Sequence, residues 1–232
     1  SINMPETHDT DFRWDEYVDR VNNELIGTYG NFVHRVMTLA HRLECGEGNP
    51  LSKYDRFSDH SKILKELDNQ ISSAIESMEK QRFKEALRSI MGIAQIGNSL
   101  LQEAAPWKYI NEDESDERST SLSSLSLSWR ICSCLAVCMR PFTPFSSDRL
   151  WEMLGNQNDI DNVLWEHSMD VDTNLFWNQE TPEPLFSRLE LDEILERENS
   201  LIYSKDNDES LPPNDGGGYI DFEDFMKVEM RT

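Results

Sequence analysis

The stretch from Asn31 to Arg42 reads Asn-Phe-Val-His-Arg-Val-Met-Thr-Leu-Ala-His-Arg. It contains no acid, in a chain whose formal charge is −22. His34, Thr38 and Arg42 stand at i, i+4 and i+8, so on a helix they share one face, with His41 at its edge. A guanidinium fork, a hydroxyl and imidazoles suit the edges of nucleic-acid bases and their phosphates. A plain solvated face would have the same spacing. A second group is Ala105-Pro106-Trp107-Lys108-Tyr109. Proline ends the preceding helix and sets Trp107 on a turn beside Lys108. An exposed indole next to a cation is a stacking platform, worth about 1–3 kcal/mol per stacked base. The alternative is a tryptophan that seals the end of a core. Arg35, Lys80, Arg82, Lys84, Arg88 and Lys108 are candidates for phosphate contacts. From Lys80 to Arg88 the bases interleave with Glu85 as the only acid.

Signatures of catalysis are missing. No phosphate-binding glycine loop appears, since Gly216 to Gly218 follows no predicted strand and lacks the lysine. No Gly-x-Ser-x-Gly elbow appears either. Cys132, Cys134 and Cys138 fall on one predicted helix without a nearby histidine, and only the last two share a face. Small buried core residues fit them better than zinc ligands. No catalytic residue and no metal ligand is therefore assigned. With Cys45 the chain has four cysteines in 232 residues, which suits a reducing cytoplasm better than a disulfide scaffold.

The elements that must position these groups are helical. Apolar residues recur at three- and four-residue steps over 14–43, with Gly27 and Gly30 as points of weakness or bending. Further helices are expected at 60–79, 81–104, 120–139 and 145–154, with a charged loop over 111–117. The prolines at 106, 141 and 144 separate them. Such a pattern predicts an all-α helical bundle over residues 14–155. Residues 156–203 read as an irregular C-terminal extension, extended over 156–190, with a helix at 189–203. Residues 204–218 read as a disordered linker, and 219–232 restart an apolar pattern.

Charge is unevenly spread. Residues 151–232 hold 21 acids and 5 bases, a balance of −16. Residues 14–109 hold 14 acids and 12 bases, a balance of −2. The total thus says little about the first half, where a nucleic-acid surface remains possible. No run reaches the roughly 18 consecutive apolar residues of a membrane helix, and no signal peptide opens the sequence.

Several segments resemble the methionyl-tRNA synthetases of archaeal type. Asn3-Met4-Pro5-Glu6-Thr7-His8-Asp9-Thr10-Asp11-Phe12-Arg13-Trp14 resembles the segment after their catalytic domain. Asn23-Glu24-Leu25 with Gly30-Asn31-Phe32-Val33-His34-Arg35 resembles the start of their anticodon-binding bundle. Ala105-Pro106-Trp107 is similar to the turn that carries their stacking tryptophan. Pro184-Leu185-Phe186 is similar to a motif that packs back on the enzyme body. Residues 219–225 with Val228-Glu229-Met230-Arg231 resemble the opening of an appended OB-fold domain.

The resemblance implies a class I synthetase anticodon-binding fold and recognition of methionine tRNA. Trp107 falls on the stacking tryptophan and Arg42 on an anticodon-contacting arginine. Thr38 falls where bacterial relatives carry asparagine, and His34 belongs to the Asn-Phe-Val-His-Arg motif. The two nucleotide-binding signatures of the catalytic domain are absent. The resemblance therefore implies a C-terminal piece of a methionine–tRNA ligase without the catalytic site. ATP and zinc would belong to the missing part, and residues 1–13 would be its connector. Expected partners are tRNA-Met and the catalytic domain of the same enzyme, with no membrane. A homodimer would form only through the missing OB-fold domain. An anticodon bundle of another class I synthetase is one alternative. A helical protein-interaction module without RNA binding is the other.

Overall fold

A computed structural model describes residues 12–43, 51–55, 57, 60–156, 158–170 and 182–206. The chain divides into two units, Ser1–Leu189 and Glu190–Thr232. In the first unit, α1 (Trp14–Arg20) runs through a π-wound segment (Val21–Gly30) into α2 (Asn31–His41). Then come α3 (Ser61–Glu79), α4 (Phe83–Ala104), α5 (Asp116–Met139) and α6 (Pro144–Met153). Among the described residues there is no strand, as expected for an all-α bundle.

The helices arise from simple patterns. In α3, Leu67, Ile71, Ala74 and Ser77 make one buried stripe. Gln81, in the left-handed region at φ 57°, turns the chain into α4, which packs along α3. The start of α5 lies earlier than the expected residue 120. The Ser115 hydroxyl accepts the Arg118 N–H at 3.1 Å, and Asp116 and Glu117 sit in the first turn, where carboxylates suit the helix dipole. The expected charged loop therefore ends as a helix cap.

The expected single helix over 14–43 is continuous, but its middle is wound wider. At the end of that segment the N–H of Asn31 donates to the carbonyl of Ile26, an i→i−5 bond. Gly27 and Gly30 lie within it. Residues 182–189 lie across this segment. The Asn22 amide donates to the Leu189 carbonyl at 2.8 Å, and its oxygen accepts the Leu189 N–H at 3.0 Å. Leu185 is buried, and the Phe186 ring meets Tyr29 edge-on at 5.5 Å between centroids.

From Ser121 to Met139, helix α5 is enclosed by α2, α4, α6 and the short turns around them, while Asp116, Glu117, Ser119 and Thr120 are exposed. It is the one helix among the described residues long and apolar enough to cross a membrane, and its apolar surface is spent on the core instead. Three of its serines are tied to backbone carbonyls, whereas the buried Ser133 hydroxyl has no partner among the described residues. Ser121 donates to the carbonyl of Ala104, at the end of α4, at 2.9 Å, and Ser128 donates to the Ser124 carbonyl at 2.8 Å. Cys132, Cys134 and Cys138 are buried free thiols. Among the described residues no group of three or more His, Cys, Asp or Glu side chains could hold a metal ion.

Arg130 of α5 anchors the residues after α2. Its guanidinium grips both carboxylate oxygens of Asp55 and donates to the Met169 carbonyl at 3.0 Å. It also lies over the Phe57 ring. This places the short 3-10 turn Ser52–Tyr54 against α5.

In the second unit, α7 (Leu191–Asp206) carries acids in its first turn. It runs three residues into the stretch expected to be a linker. The rest of that linker, the OB-fold opening at 219–232, most of the connector at 1–13, and Cys45 lie outside the described residues.

Two glycines of α4 separate close packing from loose packing. A Cβ on Gly97 would stand 2.4 Å from the fully buried Phe32 ring, whereas one on Gly92 would meet only the amide end of Gln70. Gly97→Ala should lower stability by about 1–2 kcal/mol, because overpacking outweighs the helix propensity gained. Gly92→Ala should be neutral or stabilising, since Gln70 can swing away. Urea midpoints decide, and equal shifts for the two variants would contradict the packing described.

Burial pushes the Tyr29 phenol and the Cys132 thiol well up. The unfolded chain therefore releases these protons first as pH rises. Their contribution is complete below about pH 8.5 and is lost progressively above the ordinary thiol and phenol values, about 8.5 and 10. Thermal midpoints should fall from about pH 8.5 upward, and more shallowly in Tyr29→Phe above about pH 10.

Candidate nucleic-acid interface

The acid-free stretch is α2 and the residue after it. Phe32, Val33, Val36, Met37, Leu39 and Ala40 are buried. They fix the rotation of the helix and decide which polar groups face outward. His41 and Arg42 are exposed at its C-terminal end, and Thr38 is half-buried. The helix tightens there, with Arg42 N–H donating to the Leu39 carbonyl at 3.2 Å. His34 is half-buried one turn earlier than Thr38. Its Nδ1 is enclosed with no hydrogen-bond partner among the described residues.

The turn after α4 holds Trp107 by burying its neighbours. Ala105 adopts the left-handed conformation, φ 44° and ψ 52°, and reverses the chain before Pro106. For a residue with a Cβ that conformation costs about 1–2 kcal/mol. A 3-10 turn, Pro106–Lys108, follows, closed by Lys108 N–H to Ala105 and Tyr109 N–H to Pro106, both at 3.0 Å. Ala105, Pro106 and Ile110 are buried, so Trp107 and Lys108 are turned outward. Trp107 is 38% exposed. The expected proline turn is present, and Ala105 makes its sharpest bend.

Arg35 joins the two parts. Its guanidinium carbon lies over the Trp107 ring, 5.5 Å from the centroid. A cation over an indole face is attracted by the ring quadrupole. The sequence marks Arg35 only as a candidate phosphate contact, and its position against Trp107 comes from the fold.

The remaining basic candidates separate into two places. Lys80 pairs with Glu76, and Arg82 pairs with Glu85 at 3.3 Å, both about the α3–α4 turn. Lys84 and Arg88 line a groove of about 410 Å³ between α4 and the π-wound segment, facing Arg20, Glu24 and Thr28. Across this pair of elements the Asn98 amide donates to the Thr28 carbonyl at 3.0 Å. Arg88 precedes the end of α4 by about 24 Å of helix rise, so this basic set is a separate site from the Trp107 end.

Residues 55–200 match the family described as the anticodon binding domain of methionyl tRNA ligase. Residues 1–37 match the family described as class I tRNA synthetases (M). A methionine–tRNA ligase of Methanopyrus kandleri is 34% identical over 230 residues, covering 98% of this chain and 32% of that protein. One of Cytophaga hutchinsonii is 33% identical, covering 99% of this chain and 32% of that protein. The chain thus spans about a third of the length of these curated relatives. The methionyl-tRNA synthetase of Mycobacterium tuberculosis in its free state has a similar fold, with a TM-score of 0.62 at 16% identity over 77% of this chain and 35% of that one. With its helical bundle and a family match over most of its length, the chain belongs to the methionyl-tRNA ligase anticodon-binding domain family.

Proposed function

We propose that this chain recognises the anticodon of methionine tRNA as part of an enzyme that joins methionine to that tRNA with ATP. The observation that carries this reading is the outward-facing Trp107, backed by Arg35 and set beside an acid-free helix. An unstacked anticodon base lies on the open indole face. Arg42 and Thr38, with His41 beside them, read base edges or hold the adjoining backbone. Single-stranded loops offer their bases in this way. His34 contributes from its half-buried place beneath that face.

Lys108 and Arg35 are the backbone contacts beside the stack. Lys84 and Arg88 are the more distant ones, about four turns of α4 away. Lys80 and Arg82 act more weakly, because each already faces a carboxylate. Binding here holds the tRNA while its acceptor end reaches a catalytic domain. The partners are therefore tRNA-Met and that domain, in the cytoplasm, and the chain's own residues contribute recognition rather than bond-making.

A fluorescence titration tests this. Methionine tRNA with its CAU anticodon should bind at least tenfold more tightly than the same tRNA with a swapped anticodon. Trp107→Ala should abolish the preference, a loss of about 1–3 kcal/mol expected for one stacked base. Arg42→Ala should narrow it. Equal, salt-sensitive binding to both tRNAs would leave charge attraction alone and overturn the reading.

A further inference from the structure

A second cleft of about 410 Å³ opens beside the Trp107 turn, three residues beyond the indole. It lies where α2 ends, between the 3-10 turn Ser52–Tyr54 and the start of α5. Leu43 and Ile110 close it from below, but both are almost fully buried, so the accessible walls are mainly polar. Among the described residues its rim carries three cations, Arg42, Lys53 and Arg118, and one acid, Glu112. Such an excess of positive charge is notable in a chain of −22.

The donors of this rim are only partly used. Arg118 donates one Nη1–H to the Tyr54 hydroxyl at 2.8 Å, and its Nε is buried with no acceptor among the described residues. A guanidinium has five N–H donors, so most remain for an incoming anion. The Tyr54 hydroxyl accepts from Arg118 and keeps its own proton to donate. Lys53 lies over the Tyr54 ring at 5.7 Å, which holds its ammonium at the rim. The turn that carries Lys53 and Tyr54 is pinned in turn by the Arg130 grip on Asp55.

A mainly polar cleft rimmed by cations with unused donors is the chemistry of a phosphodiester site. We infer that this cleft takes the backbone phosphate of the nucleotide adjoining the one stacked on Trp107, held by Arg118, Lys53 and Arg42. The inference rests on the anticodon reading and adds Lys53, Tyr54 and Arg118 as residues that position the strand. The strand enters from Trp107, and Arg42 at the shared border contacts both nucleotides.

The test uses the whole chain and a CAU anticodon stem–loop RNA, titrated at several salt concentrations. Arg118→Gln and Lys53→Gln should each weaken binding about tenfold and lower the salt slope by about 0.7, the value for one lost phosphate contact on a single strand. Tyr54→Phe should weaken binding with the slope unchanged. Arg118→Lys should restore the slope without full affinity, since it returns the charge and not the fork. Urea midpoints identify any variant that fails to fold, and Arg118→Lys then carries the test. Inorganic phosphate at matched ionic strength should compete poorly. Full competition would reduce the cleft to a simple anion site and overturn the nucleotide assignment. Wild-type affinity and slope in these variants, with the CAU preference still lost in Trp107→Ala, would overturn the cleft assignment alone. Loss of no preference in Trp107→Ala would overturn the anticodon reading beneath it.

Discussion

Everything in the first unit depends on the burial of α5 from Ser121 to Met139. A helix buried on every face cannot be amphipathic, and it must also let several neighbours approach closely. Small side chains allow that approach. Serine and cysteine keep the helix narrow where leucine would hold its neighbours away. Each serine hydroxyl brings a polar group into the core, and that group must find a partner. Ser121 uses this requirement constructively. Its hydroxyl satisfies a carbonyl at the end of α4, next to the reversal at Ala105. The core thereby reaches directly to the residue that aims Trp107.

Two long-range contacts extend this control to the surface. Arg130, projecting from α5, fixes Asp55 and with it the turn bearing Lys53 and Tyr54. Asn22 binds both backbone groups of Leu189, which holds the late segment against the π-wound stretch. The first contact organises the end of the bundle near Trp107. The second lies at the opposite part of the first long helix. Both tie loops that have little apolar surface of their own to elements that have much.

The bundle was legible because helical periodicity follows directly from burial. The stripe in α3 and the proline before Trp107 are each local signals, and each matches the structure. The start of α5 was also written locally, in Ser115 followed by Asp116 and Glu117, but a run of charges there reads as a loop. The π-wound segment was not legible. Alternating three- and four-residue steps fit an α-helix and a slightly wider one almost equally well. The tertiary partners were the least accessible. Nothing near Arg35 signals that Trp107, 72 residues later in the sequence, lies beneath it. The same is true of Tyr54 and Arg118, whose hydrogen bond joins segments 64 residues apart. Residue types suggested nucleic acid, and the family resemblance singled out Trp107 and Arg42. Only the fold brings their neighbours into view.

Arg35 gives the indole of Trp107 a front and a back. Its guanidinium occupies one face, and the ring cannot be sandwiched between two bases while that contact holds. The platform is therefore limited to a single ring. On the proposed anticodon reading it is a counter rather than a clamp: a strand registers against it at one base only, and every other nucleotide is numbered from that position.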